Sequence, residues 1–363
     1  AYSLFVPHFT YVFTDWLSRA LVFLVVSCPC ALVISIPLGY FGGIGASSKR
    51  GILFKGSNYL DAMTEVDTIV FDKTGTLTTG HFKVEKIDGL DENTLKMVAA
   101  MEQSSPHPIA RTIVDYVNRE LGMPVEALPE SLRSLSGYGL EAGEWLVGNL
   151  RLMDSRGISY PAHLKEVPET IVTVAKNAHF MGSVLLADEL KDDAVKAVES
   201  LNMEVHILSG DKQALVGKVA HSLKVEHAFG ELLPADKVAH IEQLKQQGHK
   251  VAFVGDGIND APVLALSDVG IAMGALGADM AVETADVIIQ TDQPSKVAEA
   301  VSIAKYTRSI VRQNIVLALG VKAAVIVLGI FGVANLWEAV FADSGVALLA
   351  VLNASRIFWQ KKQ

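Results

Sequence analysis

Cysteine is almost missing: the 363 residues hold two, Cys28 and Cys30. With one residue between them they are poorly placed to bridge each other, so no disulfide framework is expected. Basic charge is also in short supply. Lys and Arg total 31 against 40 Asp and Glu, a formal net charge of -9. That balance argues against a nucleic-acid binder, which carries a basic face. Internal repeats and low-complexity tracts are absent, and no Lys or Arg falls between Lys322 and Arg356. Apolar residues are what abound, at 50% of the chain and a mean hydropathy of +0.33. Both are high for a soluble protein, and the length suggests more than one domain.

The apolar residues gather in three runs, 20–46, 313–332 and 337–355. Each is close to the ~20 residues that cross a bilayer. Lys49, Arg50 and Lys55 follow the first run, and Arg308, Arg312, Arg356, Lys361 and Lys362 flank the other two. Positive flanks lie in the cytoplasm, so the last two runs form a hairpin with "ANLWEA" turning on the far side. A large domain follows the first run and no clear cleavage site is present, which disfavours a signal peptide. The alternative is a set of buried helices in a large soluble core. The opening "AYSLFVPHFTYV" reads as the tail of another membrane segment.

Residues 61–300 are soluble in character. Short β-type runs recur there, each followed by a loop and a helical pattern: "DTIVFD" (67–72), "GSVLLAD" (182–188), "EVHILSGD" (204–211), "KVAFVGDG" (250–257), "VGIAM" (269–273) and "ADVIIQ" (285–290). Alternating strand and helix implies a doubly wound parallel sheet, an α/β fold. Four of these runs end in Asp at the carboxyl edge, where open α/β sheets bind ligands. Residues 81–181 interrupt the pattern with their own strand and helix signals and read as an inserted domain.

The chemistry gathers at that edge. "DKTGTLT" (72–78) follows a buried strand, so Asp72 points into a Gly/Thr-rich loop whose N–H groups and hydroxyls suit a phosphate. A carboxylate so placed can be a covalent nucleophile toward a phosphoryl group. In "SGD" (209–211), Ser209 offers a hydroxyl to a phosphate oxygen. Lys237 in "PADK" can neutralise charge on the transferring group. "GDGINDAP" (255–262) supplies Asp256, with Asn259 and Asp260 nearby; carboxylates beside phosphate oxygens suit Mg²⁺. In the membrane part, "SCPC" puts a proline between the two cysteines inside an apolar run. Proline frees a backbone carbonyl and bends a membrane helix, tolerable in lipid only beside a cavity or ligand. Two thiols at the bend offer soft ligands. Lys322 and Asp343 lie inside the second and third runs, where an ionisable residue marks function. Two thiolates and one carboxylate suit a divalent ion, and Lys322 could neutralise Asp343 when none is bound.

These motifs resemble those of the P-type ATPases, whose phosphorylation domain is haloacid-dehalogenase-like. The resemblance covers essentially the whole chain. It implies that ATP phosphorylates Asp72 and that Asp72, Asp256 and the carbonyl of Thr74 hold Mg²⁺. Asp211 joins the cofactor-binding set. "SSPHPIA" (104–110) resembles the Ser-x-His-Pro motif of the heavy-metal branch, with Pro106 where Glu is common. "GYGL" (137–140) and "VGN" (147–149) resemble its adenine-pocket motifs. Glu102, His107, Gly137, Gly139, Gly148 and Asn149 would then form the nucleotide pocket. Cys-Pro-Cys resembles the transport-site motif of the same branch, which makes Cys28 and Cys30 ligands of the transported ion. Lys322, with Asp343 in "ADSG", resembles the Zn²⁺/Cd²⁺/Pb²⁺ subgroup rather than the copper one.

The implied plan has transmembrane segments over 1–60, a phosphorylation domain over 61–80 and 182–300, a nucleotide-binding α+β domain over 81–181, and two last transmembrane helices over 301–363. The implied function is ATP-driven export of Zn²⁺, Cd²⁺ or Pb²⁺ from the cytoplasm through the lipid of the plasma membrane, with the catalytic domains cytoplasmic. A Cu⁺ exporter, a membrane-tethered phosphatase and a non-catalytic metal-binding protein are the alternatives. P-type pumps dephosphorylate with the Glu of a Thr-Gly-Glu motif, and none occurs here. The actuator domain and earlier helices are therefore expected outside this sequence, which by itself would not pump and would lose its phosphate slowly.

Overall fold

In the computed structural model, residues 12–105, 107–125, 132–135, 137–256, 260–274, 283–331, 333 and 335–359 are described. Two helices come first, α1 (Phe13–Val26) and α2 (Cys30–Ser48). They part at Ser27–Pro29, where proline has no N–H for the preceding turn. Strand β1 (Ile52–Phe54), helix α3 (Ser57–Glu65) and strand β2 (Thr68–Asp72) follow. The middle of the chain holds β3 (Thr78–Asp88), α4 (Glu92–Glu102), α5 (Pro108–Asp115), β4 (Arg133–Leu135), β5 (Gly139–Ala142), β6 (Trp145–Gly148), α6 (Leu150–Ser155), β7 (Thr170–Lys176) and β8 (His179–Leu190). Beyond it come α7 (Ala194–Glu199), β9 (Glu204–Leu208), α8 (Gln213–Leu223), β10 (His227–Phe229), α9 (Pro234–Gln246), β11 (Val251–Gly255), α10 (Ala261–Leu266), β12 (Val269–Met273) and β13 (Val287–Ile289). Two long helices follow, α11 (Ser295–Ile330) and α12 (Leu336–Ser355).

Seven strands form one sheet in the order β1-β13-β12-β11-β2-β9-β10, parallel except for the β1–β13 edge pair. The strand order reverses about β2, which has β11 on one side and β9 on the other. The loops leaving these strands open a crevice at the carboxyl edge. Helices cover both faces. Leu60, Ala194, Val216 and Ala300, from α3, α7, α8 and α11, pack on one. Ile241, Leu244 and Val263, from α9 and α10, pack on the other with Phe253.

The second sheet is antiparallel throughout, in the order β3-β8-β7-β6-β5-β4. Helices α4 and α5 pack on it through Val98, Met101 and Ile113. One expectation is corrected here. "GSVLLAD" (182–188) reads as a strand of the parallel sheet, but it belongs to β8 and pairs antiparallel with β3 and β7. A short apolar run marks a buried strand without naming its partner. The strands of this sheet span Thr78 to Leu190, wider than 81–181.

Three helical segments, Phe13–Ser48, Ser295–Ile330 and Leu336–Trp359, are long and apolar enough to cross a membrane. Helix α11 has 36 residues, roughly 54 Å at 1.5 Å per residue. Its first turns bury Val297, Ala300 and Ala304 against the parallel sheet, while Val316 and Leu319 further on are exposed. The second apolar run, from 313 onward, thus forms the distal half of a helix that begins in the soluble unit and ends at Ile330. Helix α2 turns Gly39 and Gly43 toward α11. A Cβ on Gly43 would lie 2.5 Å from Thr307 Oγ1, and one on Gly39 would lie 2.8 Å from Val311 Cγ2. Small residues let membrane helices approach this closely.

Candidate active site

Strand β2 is buried along its whole length and delivers Asp72 at its end. Opposite Asp72 on β9 is Leu208, so Ser209 emerges beside the carboxylate. On the other side Val254 pairs with Phe71, which brings Asp256 out next to the loop after Asp72. That loop turns through Gly75 at φ +74, where a Cβ would come 3.1 Å from Asp256 Oδ2. Helix α9 supplies Lys237, whose Nζ donates to Asp72 Oδ1 at 2.6 Å and Asp260 Oδ1 at 2.8 Å. Asp72, Lys237, Asp260 and Ser209 are all buried. Asn259 of the same motif lies outside the described residues.

Burial raises the Asp72 pKa to about 7; Lys237 pulls it down, while Asp260 and Asp256 push it up. Burial works against the charge of Lys237, but Asp72 and Asp260 outweigh it and raise that pKa. One ammonium thus sits among more carboxylates than it can neutralise. The set fits Mg²⁺, which takes carboxylate and carbonyl oxygens. The bare Gly75 Cα leaves room for an ion beside Asp256. Thr74 is exposed in the same loop.

Several supporting groups escape the motif reading. Lys73 is buried and pairs with Asp211 at 2.6 Å and Asp188 at 3.4 Å. The Thr78 hydroxyl donates to Asp188 Oδ2 at 2.6 Å. Lys191 donates to Gly75 O and to Asp292 Oδ1, each at 2.8 Å. Asp211, expected to contact the cofactor, is therefore engaged by Lys73, and its N–H donates to Ser209 Oγ at 3.1 Å. The available signal was "DELK" (188–191), two acidic residues and a lysine at the end of an apolar strand. A cleft of about 690 Å³ between the two sheets is lined by Lys73, Thr74, Asp188 and Asp211, with Glu169 and Lys218 further along.

On the second sheet, Gly139 and Gly148 face each other in register. A Cβ on Gly139 would fall 2.1 Å from Val147 O, so no larger residue fits. Asn149 donates from Nδ2 to Gly137 O at 2.9 Å and caps α6 by accepting from Leu152 N–H. The structure thus joins Gly137, Gly139, Gly148 and Asn149. Glu102 and His107 sit on α4 and at the N-cap of α5, helices packed on the same sheet. Glu102 is buried, and loss of water raises its pKa to about 7. Pro106 lies outside the described residues.

In the membrane part, Lys322 Nζ lies 3.2 Å from Asp343 Oδ1. It also donates to Val26 O at 2.8 Å and to Cys28 O. The carbonyls released at the Pro29 break are therefore taken up by the half-buried ammonium. A second expectation is corrected here. Cys28 and Cys30 are joined in a disulfide. Pro29 turns the backbone, and the Cα atoms end 5.5 Å apart, inside the usual range for a bridge.

The model of the haloacid dehalogenase-like hydrolases matches residues 66–268. A zinc-transporting ATPase of Synechocystis sp. is 50% identical over 357 residues, covering 94% of this chain and 49% of that protein. A cadmium, zinc and cobalt-transporting ATPase of Bacillus subtilis is 48% identical, covering 96% and 51%. The crystal structure of a zinc-transporting PIB-type ATPase in the E2.Pi state superimposes with a TM-score of 0.86 at 35% identity, covering 96% of this chain and 59% of the other. The chain spans about half the length of the curated relatives it matches.

Proposed function

This chain belongs to the haloacid dehalogenase-like hydrolases and, among them, to the heavy-metal P-type ATPases, and we propose that it carries the phosphorylation and much of the ion site of an ATP-driven exporter of divalent heavy-metal cations. The observation that carries this reading is Lys237 held between Asp72 and Asp260 at the carboxyl edge of the parallel sheet. Relatives named for zinc and cadmium transport support the cargo class.

In this reading an Asp72 carboxylate oxygen attacks the γ-phosphorus of ATP in line. The bond to the bridging oxygen breaks, ADP leaves with the electron pair, and an aspartyl phosphate forms. Lys237 balances charge on the transferring group, and the Ser209 hydroxyl donates to one of its oxygens. Asp72, Asp256 and the Thr74 carbonyl would hold Mg²⁺, which supplies neutralisation of the phosphate oxygens. Glu102 and His107 serve the adenine end, and the Gly137–Asn149 pocket admits the ring and ribose. Asp211 orients Lys73 beside the phosphates.

The cargo, Zn²⁺, Cd²⁺ or Pb²⁺, takes two thiolates and the Asp343 carboxylate, displacing Lys322 from its ion pair. Thiolates ligate and disulfides do not, so this step belongs to the reduced Cys28–Cys30 pair. Positive flanks support a cytoplasmic catalytic unit, and in this reading the membrane is the plasma membrane.

The test is acid-stable labelling of the purified chain by γ-labelled ATP with Mg²⁺, Zn²⁺ and a reductant. Asp72→Asn is expected to abolish the label and keep nucleotide binding. Cys28→Ala, Cys30→Ala and Asp343→Ala are expected to remove its dependence on Zn²⁺. A persisting label on Asp72→Asn overturns the assignment of the nucleophile. Unchanged Zn²⁺ dependence in the cysteine variants overturns the ion path.

A further inference from the structure

At the β10 edge of the parallel sheet, beginning one strand over from Asp72, strands β9 and β10 bring together groups that phosphoryl transfer does not use. His206 and His227 are direct partners in register, and their rings stack with centroids 4.6 Å apart. Glu204 lies two residues before His206 and so shares its face of the strand. Glu204 Oε1 is 2.7 Å from His206 Nε2 and 3.4 Å from His227 Nε2. One ligand atom from each of the three residues falls within 4.8 Å of the others. A tetrahedral ion at about 2.0–2.1 Å from nitrogen and oxygen ligands needs edges of roughly 3.3 Å, so small side-chain rotations suffice.

The surroundings are those of a ligand set. His206 is buried, and its Nδ1 lies 3.1 Å from His240 Nε2 on α9. Metal-bound imidazoles are oriented in this way by a hydrogen bond at the second ring nitrogen. The Phe229 ring packs beside His240 at 4.6 Å and His206 at 6.2 Å. His227 is exposed, which leaves a path for entry.

We propose that Glu204, His206 and His227 form a binding site for a divalent transition cation of the Zn²⁺ type, with water as fourth ligand and His240 positioning His206. The cation takes the place of the hydrogen that His206 Nε2 points at Glu204, and the ring then carries its hydrogen on Nδ1, where His240 Nε2 accepts it. His240 lies one turn beyond Lys237 on α9, so the occupant bears on the helix that holds the catalytic lysine. The site contains no sulfur and is separate from Cys28, Cys30 and Asp343.

The test is Co²⁺ titration of the purified full chain carrying Cys28→Ser and Cys30→Ser, followed by visible absorption. Thiolate ligation is removed in this background, so any tetrahedral Co²⁺ spectrum comes from nitrogen and oxygen ligands. A single equivalent of tetrahedral Co²⁺, displaced by Zn²⁺, is expected. His227→Ala should weaken it at least tenfold, while Asp343→Ala should leave it unchanged. His227 is exposed, so its replacement does not threaten folding, and circular dichroism checks this. His240→Gln, which keeps a hydrogen-bond partner for His206, should weaken it less than His240→Ala. Absence of Co²⁺ from the cysteine-free chain, or retention in His227→Ala, overturns the proposal.

Discussion

Glu102 shows how much a single residue can depend on its surroundings. It ends α4 buried, with its pKa raised to about 7 by loss of water. A raised carboxyl pKa means that the folded state holds the proton more tightly than the unfolded chain. Stability is therefore full below the ordinary value of 4.5, falls as pH rises from there to about 7, and levels off above it. Glu102→Gln removes this loss. Thermal unfolding in detergent should show the two proteins alike at pH 5 and the variant more stable at pH 8, by up to about 3 kcal/mol. A constant difference across that range would mean that Glu102 does not titrate there. Asp72 is raised in the same direction, first by burial. Its nearest partner, Lys237, lies 165 positions away in the chain.

At the scale of elements, the close contact of α2 and α11 rests on glycines that a hydropathy pattern passes over. Gly43 abuts Thr307, while Gly320 in α11 has nothing within 4 Å of a built Cβ. Gly43→Ile and Gly320→Ile alter intrinsic helix preference alike, so their difference isolates packing. Gly43→Ile should lower stability by about 1–3 kcal/mol through overpacking, and Gly320→Ile should cost little. Thermal melting in detergent checks this; equal melting temperatures would refute close α2–α11 packing. The membrane runs themselves were legible from length and composition. That α11 begins in the soluble unit was not, because its first turns read as an ordinary amphipathic helix.

Across the whole molecule, the two sheets meet where β3 leaves and β8 returns, with Thr78 opposite Leu190. Asp188 ties this crossing to the catalytic loop by accepting from Thr78 and pairing with Lys73. Asp188→Ala leaves a buried donor and a half-neutralised ammonium, a loss of about 1–3 kcal/mol. With Asp72 as the proposed nucleophile, its labelling in a single turnover should slow by roughly tenfold or more, while nucleotide affinity, proposed to rest on Gly139 and Gly148, stays the same. An unchanged labelling rate would show that the crossing does not position the loop.

The sequence alone placed Asp72 at the end of a buried apolar strand and before the "KTGT" turn, because strand period and turn residues are local properties. It determined the parallel sheet for the same reason, since strand and helix periods are local properties. Tertiary structure decided what depends on distant partners. It assigned "GSVLLAD" to the antiparallel sheet, since strand pairing is a choice among remote segments. It set Lys73 between Asp188 and Asp211 and Lys322 between the Pro29 break and Asp343. The Glu204–His206–His227 cluster emerged the same way: its histidines are scattered singly along the chain, and only the register of β9 and β10 sets them side by side.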